Sequence, residues 1–414
     1  MKTQQFILSV MMGLAICVSA SAKGHTACVK TGIDMLQAHH FDVLKGKRVG
    51  LCTNPTGVNR DLKSTIDILF EAPEVNLVAL YGPEHGVRGN VHAGDHVDNT
   101  VDAKTGITMY SLYGATHKPT PEMMAEIDAL VYDIQDNGCR SYTYISTMGK
   151  LMEACAENDK ELIILDRPNP LGGEKIEGCL AEDGYISFVS QFKIPYLYGQ
   201  TCGELALYLN AQSEHPCRLT VVKMEGWKRS MTWDETGLEW VVASPHVPHG
   251  SSCYFYPATG IMGEFGYYNI GVGYTLPFEM MGTTWITSAD SVADALNALH
   301  LPGVTFRPIY FKPFYSVGQG EQSQGVQIHF MDYRKARLSE IQFYVVQVLK
   351  ELYPEHDLFR DCNQKRFSMF DKVCGTNYIR EHFGQNYRWD DVKDYWYKDV
   401  ESYRKASSKY YLYK

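Results

Sequence analysis

Four short runs, RVGLCT (48–53), NLVALY (76–81), ALVYDI (129–134) and ELIILD (161–166), are continuously apolar rather than alternating. A strand with one face in water alternates apolar and polar residues. A strand covered on both faces does not, and that is the mark of a parallel sheet with helices on each side. Helical patterns fill the gaps over 61–70 and over 141–157, where Tyr144, Met148, Leu151, Met152 and Cys155 recur at helical spacing. A helix over 202–212 and a strand over 218–224 extend the series. The chain is therefore expected to open with a Rossmann-like, mostly parallel α/β domain. No G-x-G-x-x-G follows the first strand and no P-loop is present, so a nucleotide is not expected.

From about residue 244 the texture changes. The stretch SPHVPHGSSCYFYPATGIMGEFGYYNIGVGYTLPFE is rich in Gly, Pro and Tyr, and reads as a long ordered loop region. A helix over 289–299, strands near 304–311 and 325–331, a helix over 338–351 and a helical tail over 389–405 follow. The chain has 414 residues, too many for one ordinary core. The expected division is a catalytic domain over 23–244 and a smaller α+β auxiliary domain over 245–414.

The first 22 residues have the form of a secretory signal peptide. A Lys precedes the apolar stretch FILSVMMGLAICV, and Ala20-Ser21-Ala22 supplies a small-residue cleavage site. The apolar run is too short to span a bilayer. Lipid attachment at Cys17 ranks second, because Cys17 follows Ile16 rather than a small residue. A periplasmic or secreted protein with no transmembrane segment is expected. Of the scattered cysteines, Cys362 and Cys374 are the preferred disulfide pair in an oxidising compartment. The net charge of −9, with no Lys/Arg cluster, argues against a nucleic-acid partner.

In open α/β sheets, ligands sit beyond the carboxyl ends of the strands. Each of the four early strands ends in a polar group: Asn54, Glu84, Asp133 (followed by Gln135, Asp136 and Arg140) and Asp166 (followed by Arg167 and Asn169). If these strands are neighbours, the four groups share one rim. Asp133 and Asp166 equally suit turns and caps, and Asp166-Arg167 suits an ion pair. Glu84, in YGPEHGVRG, is different. Pro83 and the glycines already supply the turn, so its carboxylate is aimed rather than capping. Carboxylates on one rim with aromatics nearby suit glycoside hydrolysis. Two alternatives stand beside it, a non-catalytic saccharide-binding protein and a metallohydrolase. A metal site would draw on His85, His92, Asp95, His96 and Asp98, but HAGDH lacks the helical context that presents two His on one face. No G-x-S-x-G elbow marks a Ser nucleophile.

The chain resembles the exo-β-N-acetylmuramidase family of bacterial cell-wall recycling (NamZ, YbbC-like), formerly a domain of unknown function. The resemblance rests on GLCTNPTGV (50–58), GPEHGVRG (82–89), LVYDIQDNGCRSYTYISTM (130–148), LDRPNPLGG (165–173), GELA (203–206), VVKMEGWKR (221–229), YPATG (256–260) and PFE (277–279). It implies a Rossmann-like domain joined to an auxiliary domain across an active-site cleft. It also implies release of N-acetylmuramic acid from the non-reducing ends of peptidoglycan fragments, with no cofactor and no metal. By this resemblance Glu84 inherits the leading catalytic role; if the 2-acetamido group acts as nucleophile, as in substrate-assisted glycosidases, Asp133 or Asp136 orients the amide. Asn54, Arg88, Gln135, Arg140, Tyr142, Tyr144, Asp166, Arg167, Asn169 and Glu204 match motif positions expected to bind the sugar, and His85 and His246 join them as candidate contacts. Arg88, Arg140 and Arg167 could each fork onto the lactyl carboxylate of muramic acid. The chain departs from the family pattern at His246 (SPH for SPN), at Gly271-Val272-Gly273-Tyr274 (for GRGT) and at Tyr198-Gly199-Gln200-Thr201 (for HGMT).

Overall fold

The computed structural model describes residues 29–84, 86–89, 100–114 and 116–414. The signal-peptide reading, Cys17, Cys28, His85 and the His92–Asp98 metal candidates fall outside the described residues. No helix among the described residues is long and apolar enough to cross a membrane.

The first domain contains α1 (Gly32–Ala38), β1 (Arg48–Thr53), α2 (Thr65–Glu71), β2 (Asn76–Gly82), β3 (Thr100–Val101), β4 (Thr108–Ser111), α3 (Pro121–Ala125), β5 (Ala129–Asp133), α4 (Tyr144–Glu157), β6 (Glu161–Leu165), α5 (Cys202–Asn210) and β7 (Arg218–Val222). The sheet order is β3-β4-β2-β1-β5-β6-β7. All pairings are parallel except β3 with β4. Strands β1, β5 and β6 are buried along nearly their whole length, as their unbroken apolar runs require. Helix starts follow side-chain capping: Ser64 accepts from Ile66 N at the head of α2, and Thr201 pairs with Glu204 in a capping box at α5.

The smaller second domain carries α6 (Ser252–Gly263), β8 (Met280–Thr283), α7 (Ala289–Ala298), β9 (Val304–Phe311), β10 (Ser323–Phe330) and α8 (Ile341–Leu352), with short helices after it. Its sheet, ordered β8-β10-β9, is antiparallel. One hydrophobic cluster runs through both domains, joining Ile145 and Leu205 of the first to Ile328 and Phe343 of the second.

Three expectations need correction. The 244–279 region is not all loop, because it contains α6. That helix is buried on most sides and so lacks an amphipathic period. It contains Pro257, and Gln342 Nε2 donates to Pro257 O (2.7 Å) while Gln342 Oε1 accepts from Met262 N (2.9 Å). The 389–405 tail is two helices, Asp390–Tyr397 and Val400–Ser407, broken where Asp399 turns its carboxylate onto Leu180 N. Cys362 and Cys374 are both free and buried. Cys374 packs instead beside Cys179, whose thiol donates to Cys374 O, while Cys362 sits among Asp357, Asp361 and Arg366.

Candidate functional site at the carboxyl edge of the parallel sheet

The strand order makes β2, β1, β5 and β6 consecutive. Thr53 lies opposite Asp133, and Cys52 opposite Tyr81. Asn54, Glu84, the 134–143 segment and Asp166 therefore leave one edge of the sheet from neighbouring strands about 4.8 Å apart.

Glu84 stands at the corner of a turn closed by Gly86 N donating to Pro83 O (3.0 Å). It is partly exposed. The Tyr113 hydroxyl donates to its carboxylate, and Tyr144 lies within its field. Burial, with the Glu84 charge adding to it, pushes both phenols upward. Tyr144 also senses Asp136, so the charges of both carboxylates reach this one phenol. Its hydroxyl donates to Ala243 O (2.8 Å).

The 134–143 loop is held tightly. Gln135 N donates to Thr56 Oγ1 (2.8 Å), Gly138 N to Asp136 Oδ2 (2.7 Å) and Arg140 N to Tyr196 O (2.8 Å). Gly138 has φ +87°, and a Cβ there would lie 2.5 Å from Asn169 Oδ1, so only glycine fits. Asp136 is buried, and Tyr198 donates to its Oδ2. Burial raises its carboxyl to about 6, against the pull of Tyr198 and the Gly138 and Asn137 amides.

Buried polar atoms are normally paired. Here the exceptions concentrate: Gln135 Oε1, Asp136 Oδ1 and Asn137 Nδ2 have no hydrogen-bond partner among the described residues, and Asn54 Nδ2 and Tyr142 OH have only the Tyr144 hydroxyl beside them. Asn54 follows β1, and the other four lie on the 134–143 loop after β5. An unpaired buried donor or acceptor costs roughly 1–3 kcal/mol, so such a cluster calls for water or a ligand. Tyr142 precedes α4 rather than lying within it. Its ring therefore meets Tyr144 edge-on at 5.0 Å, where a helical i,i+2 pair would diverge, and meets Tyr256 at 5.8 Å.

Other sequence candidates are committed to internal partners. Asp133 is fully buried against Arg167, which reaches it at 2.5 and 2.9 Å, and also accepts from Thr65 Oγ1 (2.5 Å). Arg167 gives another donor to Val58 O (2.8 Å). Arg140 spends all five N–H groups on Ser190 Oγ and on the carbonyls of Cys179, Ile194, Val373 and Cys374. Arg88 turns away to Asp102 (2.5 and 3.0 Å) and Asp67 (3.1 Å), and this fork holds Asp102 at about 2. None of the three arginines is left as a fork for a ligand carboxylate.

Asp166 accepts from Thr201 Oγ1, Gly203 N and Tyr413 OH (2.6–2.8 Å), and burial still lifts it to about 6. Glu204 caps α5 and binds Arg229 through both oxygens. Asn169 shapes its own turn through Leu171 N and donates to Gln200 O. His246 lies further out, its Nε2 2.7 Å from Tyr315 OH.

Sequence reasoning overlooked Tyr113, Tyr198 and Tyr256. Tyr198 lies in the YGQT departure and Tyr256 in YPATG, yet neither motif gives its role, because each of the three tyrosines matters through a partner distant in the chain. A cavity of about 690 Å³ between α4, α5 and residues 191–193 holds none of the candidate residues, so size alone does not locate the site.

The family model for the exo-beta-N-acetylmuramidase NamZ N-terminal region matches residues 49–251, and its C-terminal counterpart matches 254–413. A curated relative, the peptidoglycan beta-N-acetylmuramidase NamZ of Bacillus subtilis (strain 168), is 44% identical over 99% of this chain and 98% of its own. A crystal structure of a DUF1343 family protein from Bacteroides fragilis NCTC 9343 superposes with a TM-score of 0.91 at 62% identity, covering 94% of this chain and 100% of that one. A second DUF1343 structure from the same organism gives 0.75 at 29% identity over 93% and 99%. With both halves matched by the family's models and a close relative aligned end to end, the chain belongs to the NamZ family.

Proposed function

We propose that this chain is an exported exo-β-N-acetylmuramidase that releases N-acetylmuramic acid from the non-reducing ends of peptidoglycan fragments. Its family and its curated relative's activity support the reaction class. The observation that carries the residue assignment is the cluster of unpaired buried polar atoms beside Glu84 and Tyr144. The apolar N-terminal stretch and its Ala20-Ser21-Ala22 site support export.

Hydrolysis needs a proton on the leaving oxygen as the C1–O bond breaks, and a water oxygen on C1 at the end. Glu84, partly exposed and backed by Tyr113, is the proton donor, and the attacking water returns a proton to it. Asp136 uses its free Oδ1 to accept the acetamido N–H and so fixes the amide beside C1. With Arg88, Arg140 and Arg167 committed elsewhere, the lactyl carboxylate falls to neutral donors, Asn54 Nδ2 and Tyr142 OH.

The test is product analysis. Glycan fragments with a non-reducing muramic acid should yield free N-acetylmuramic acid from the first time point. Internal fragments appearing first would sink the exo reading.

Asp136→Asn separates charge from shape. The new Oδ1 can still accept from Tyr198 and Gly138 N. The native carboxyl, at about 6, lies above its ordinary value, so the folded state holds the proton more tightly than the unfolded chain. That contribution to stability is complete below about pH 4 and is lost as pH rises through about 6. The variant should therefore be more stable than wild type above pH 6, by up to roughly 3 kcal/mol. It should hydrolyse about a hundredfold more slowly, without wild type's loss of rate below pH 6. A variant with wild-type rate would remove Asp136 from the mechanism.

A further inference from the structure

Two adjacent aromatics, Phe314 (66% exposed) and Tyr315 (49%), stand on the surface after β9. A single exposed aromatic is ordinary, but a supported cluster of them marks an interaction surface. This one is held in shape. Phe314 N donates to Gly273 O (2.7 Å), Gly320 N to Pro313 O (2.9 Å) and Asn269 Nδ2 to Val317 O (2.8 Å). Gly273 has φ +88°, and a Cβ there would meet Tyr315 O at 2.0 Å. Beneath, the Phe314 ring stacks with Tyr274 at 5.9 Å, and Tyr274 leans on Phe311 at 5.6 Å. Beside it, Tyr315 OH meets His246 Nε2 at 2.7 Å.

One further observation gives this surface its occupant. It lies a short stretch of chain from the candidate site: Ala243 O receives the Tyr144 hydroxyl, and His246 follows three residues later. Three residues reach at most about 11 Å, a span comparable to a disaccharide.

We infer that Phe314 and Tyr315, backed by Tyr274 and His246, form a subsite for the aglycone, the sugar residues that continue beyond the muramic acid being released. The inference rests on the glycosidase reading above. Pyranose rings present an apolar C–H face that stacks on an aromatic ring, while the Tyr315 hydroxyl and the His246 ring supply polar edges for the sugar hydroxyls. The platform sets preference for chain length and plays no part in the chemical step.

The experiment compares two substrates in the full-length protein: a chromogenic aryl β-N-acetylmuramide, which carries no sugar beyond the muramic acid, and an unsubstituted tetrasaccharide starting with N-acetylmuramic acid. In Phe314→Ala/Tyr315→Ala the ratio of kcat/KM, tetrasaccharide over aryl glycoside, should fall about tenfold, mostly through KM. His246→Asn, which frees Tyr315, should move the ratio the same way by a smaller factor. An unchanged ratio overturns the inference. So does a fall seen only with peptide-bearing fragments, or a wild-type dimer that the double variant converts to monomer with the ratio intact. If wild type cleaves neither substrate, the glycosidase reading fails by itself. Calorimetric binding of the tetrasaccharide then judges the platform: about tenfold weaker binding in the double variant supports it, and equal binding overturns it.

Discussion

Glu84→Gln should lower release of N-acetylmuramic acid from a natural disaccharide by about a thousandfold while leaving the melting temperature unchanged. Removing a general acid costs typically a hundredfold to ten-thousandfold. The substitution keeps the size of the side chain and its acceptor for the Tyr113 hydroxyl. The carboxylate makes no ion pair among the described residues, so the fold does not depend on its charge. The leaving group sharpens the test. A sugar alkoxide leaves poorly without a proton, whereas a nitrophenolate leaves readily. The loss should therefore be much larger on the disaccharide than on nitrophenyl β-N-acetylmuramide. Equal release by wild type and variant on both substrates would remove Glu84 from catalysis. An equal, severe loss on both would assign it a role other than proton donor.

Arg167→Leu should cost about 3–5 kcal/mol of stability, read as a shift in the denaturant midpoint, because it leaves a buried charge without its partner. Asp133 is wholly buried, and its carboxylate depends on the two Arg167 donors and on Thr65 Oγ1. Val58 O loses its donor in the same change. The double change Arg167→Leu/Asp133→Leu should recover most of the loss, since an apolar pair of similar volume often replaces a buried ion pair at little cost. If Arg167 instead served as the fork for the lactyl carboxylate, the single variant would keep its stability and raise KM. A stability loss below about 1 kcal/mol, the range of an ordinary surface pair, would favour that reading.

The strands were legible because a parallel sheet covered on both faces writes itself as unbroken apolar runs. Arg48–Thr53 was placed to the residue, and Asn76, Ala129 and Glu161 were correct strand starts. The carboxyl edge was legible for the same reason, since each strand end names the residue that follows it. Where apolar residues surround an element, as in α6, the period vanishes and the helix is hidden from the sequence. The unpaired cysteines show a second limit: twelve residues of separation permit a bridge, but helix packing sends Cys374 to Cys179.

By itself, the sequence determined the layered sheet, the turn that presents Glu84, and the set of polar groups at one rim, because these depend on residues close together in the chain. Only the tertiary structure decided which of those groups are spent and which remain available. Arg140 is satisfied by carbonyls up to 234 residues away, Asp166 by Tyr413 at 247 and Asp136 by Tyr198 at 62. Such pairings leave no local pattern. Yet a hydrogen bond already made removes a group from ligand binding as surely as the residue's absence would, and here it leaves Asp136 Oδ1, Asn54 Nδ2 and Gln135 Oε1 without an internal partner at the rim shared with Glu84.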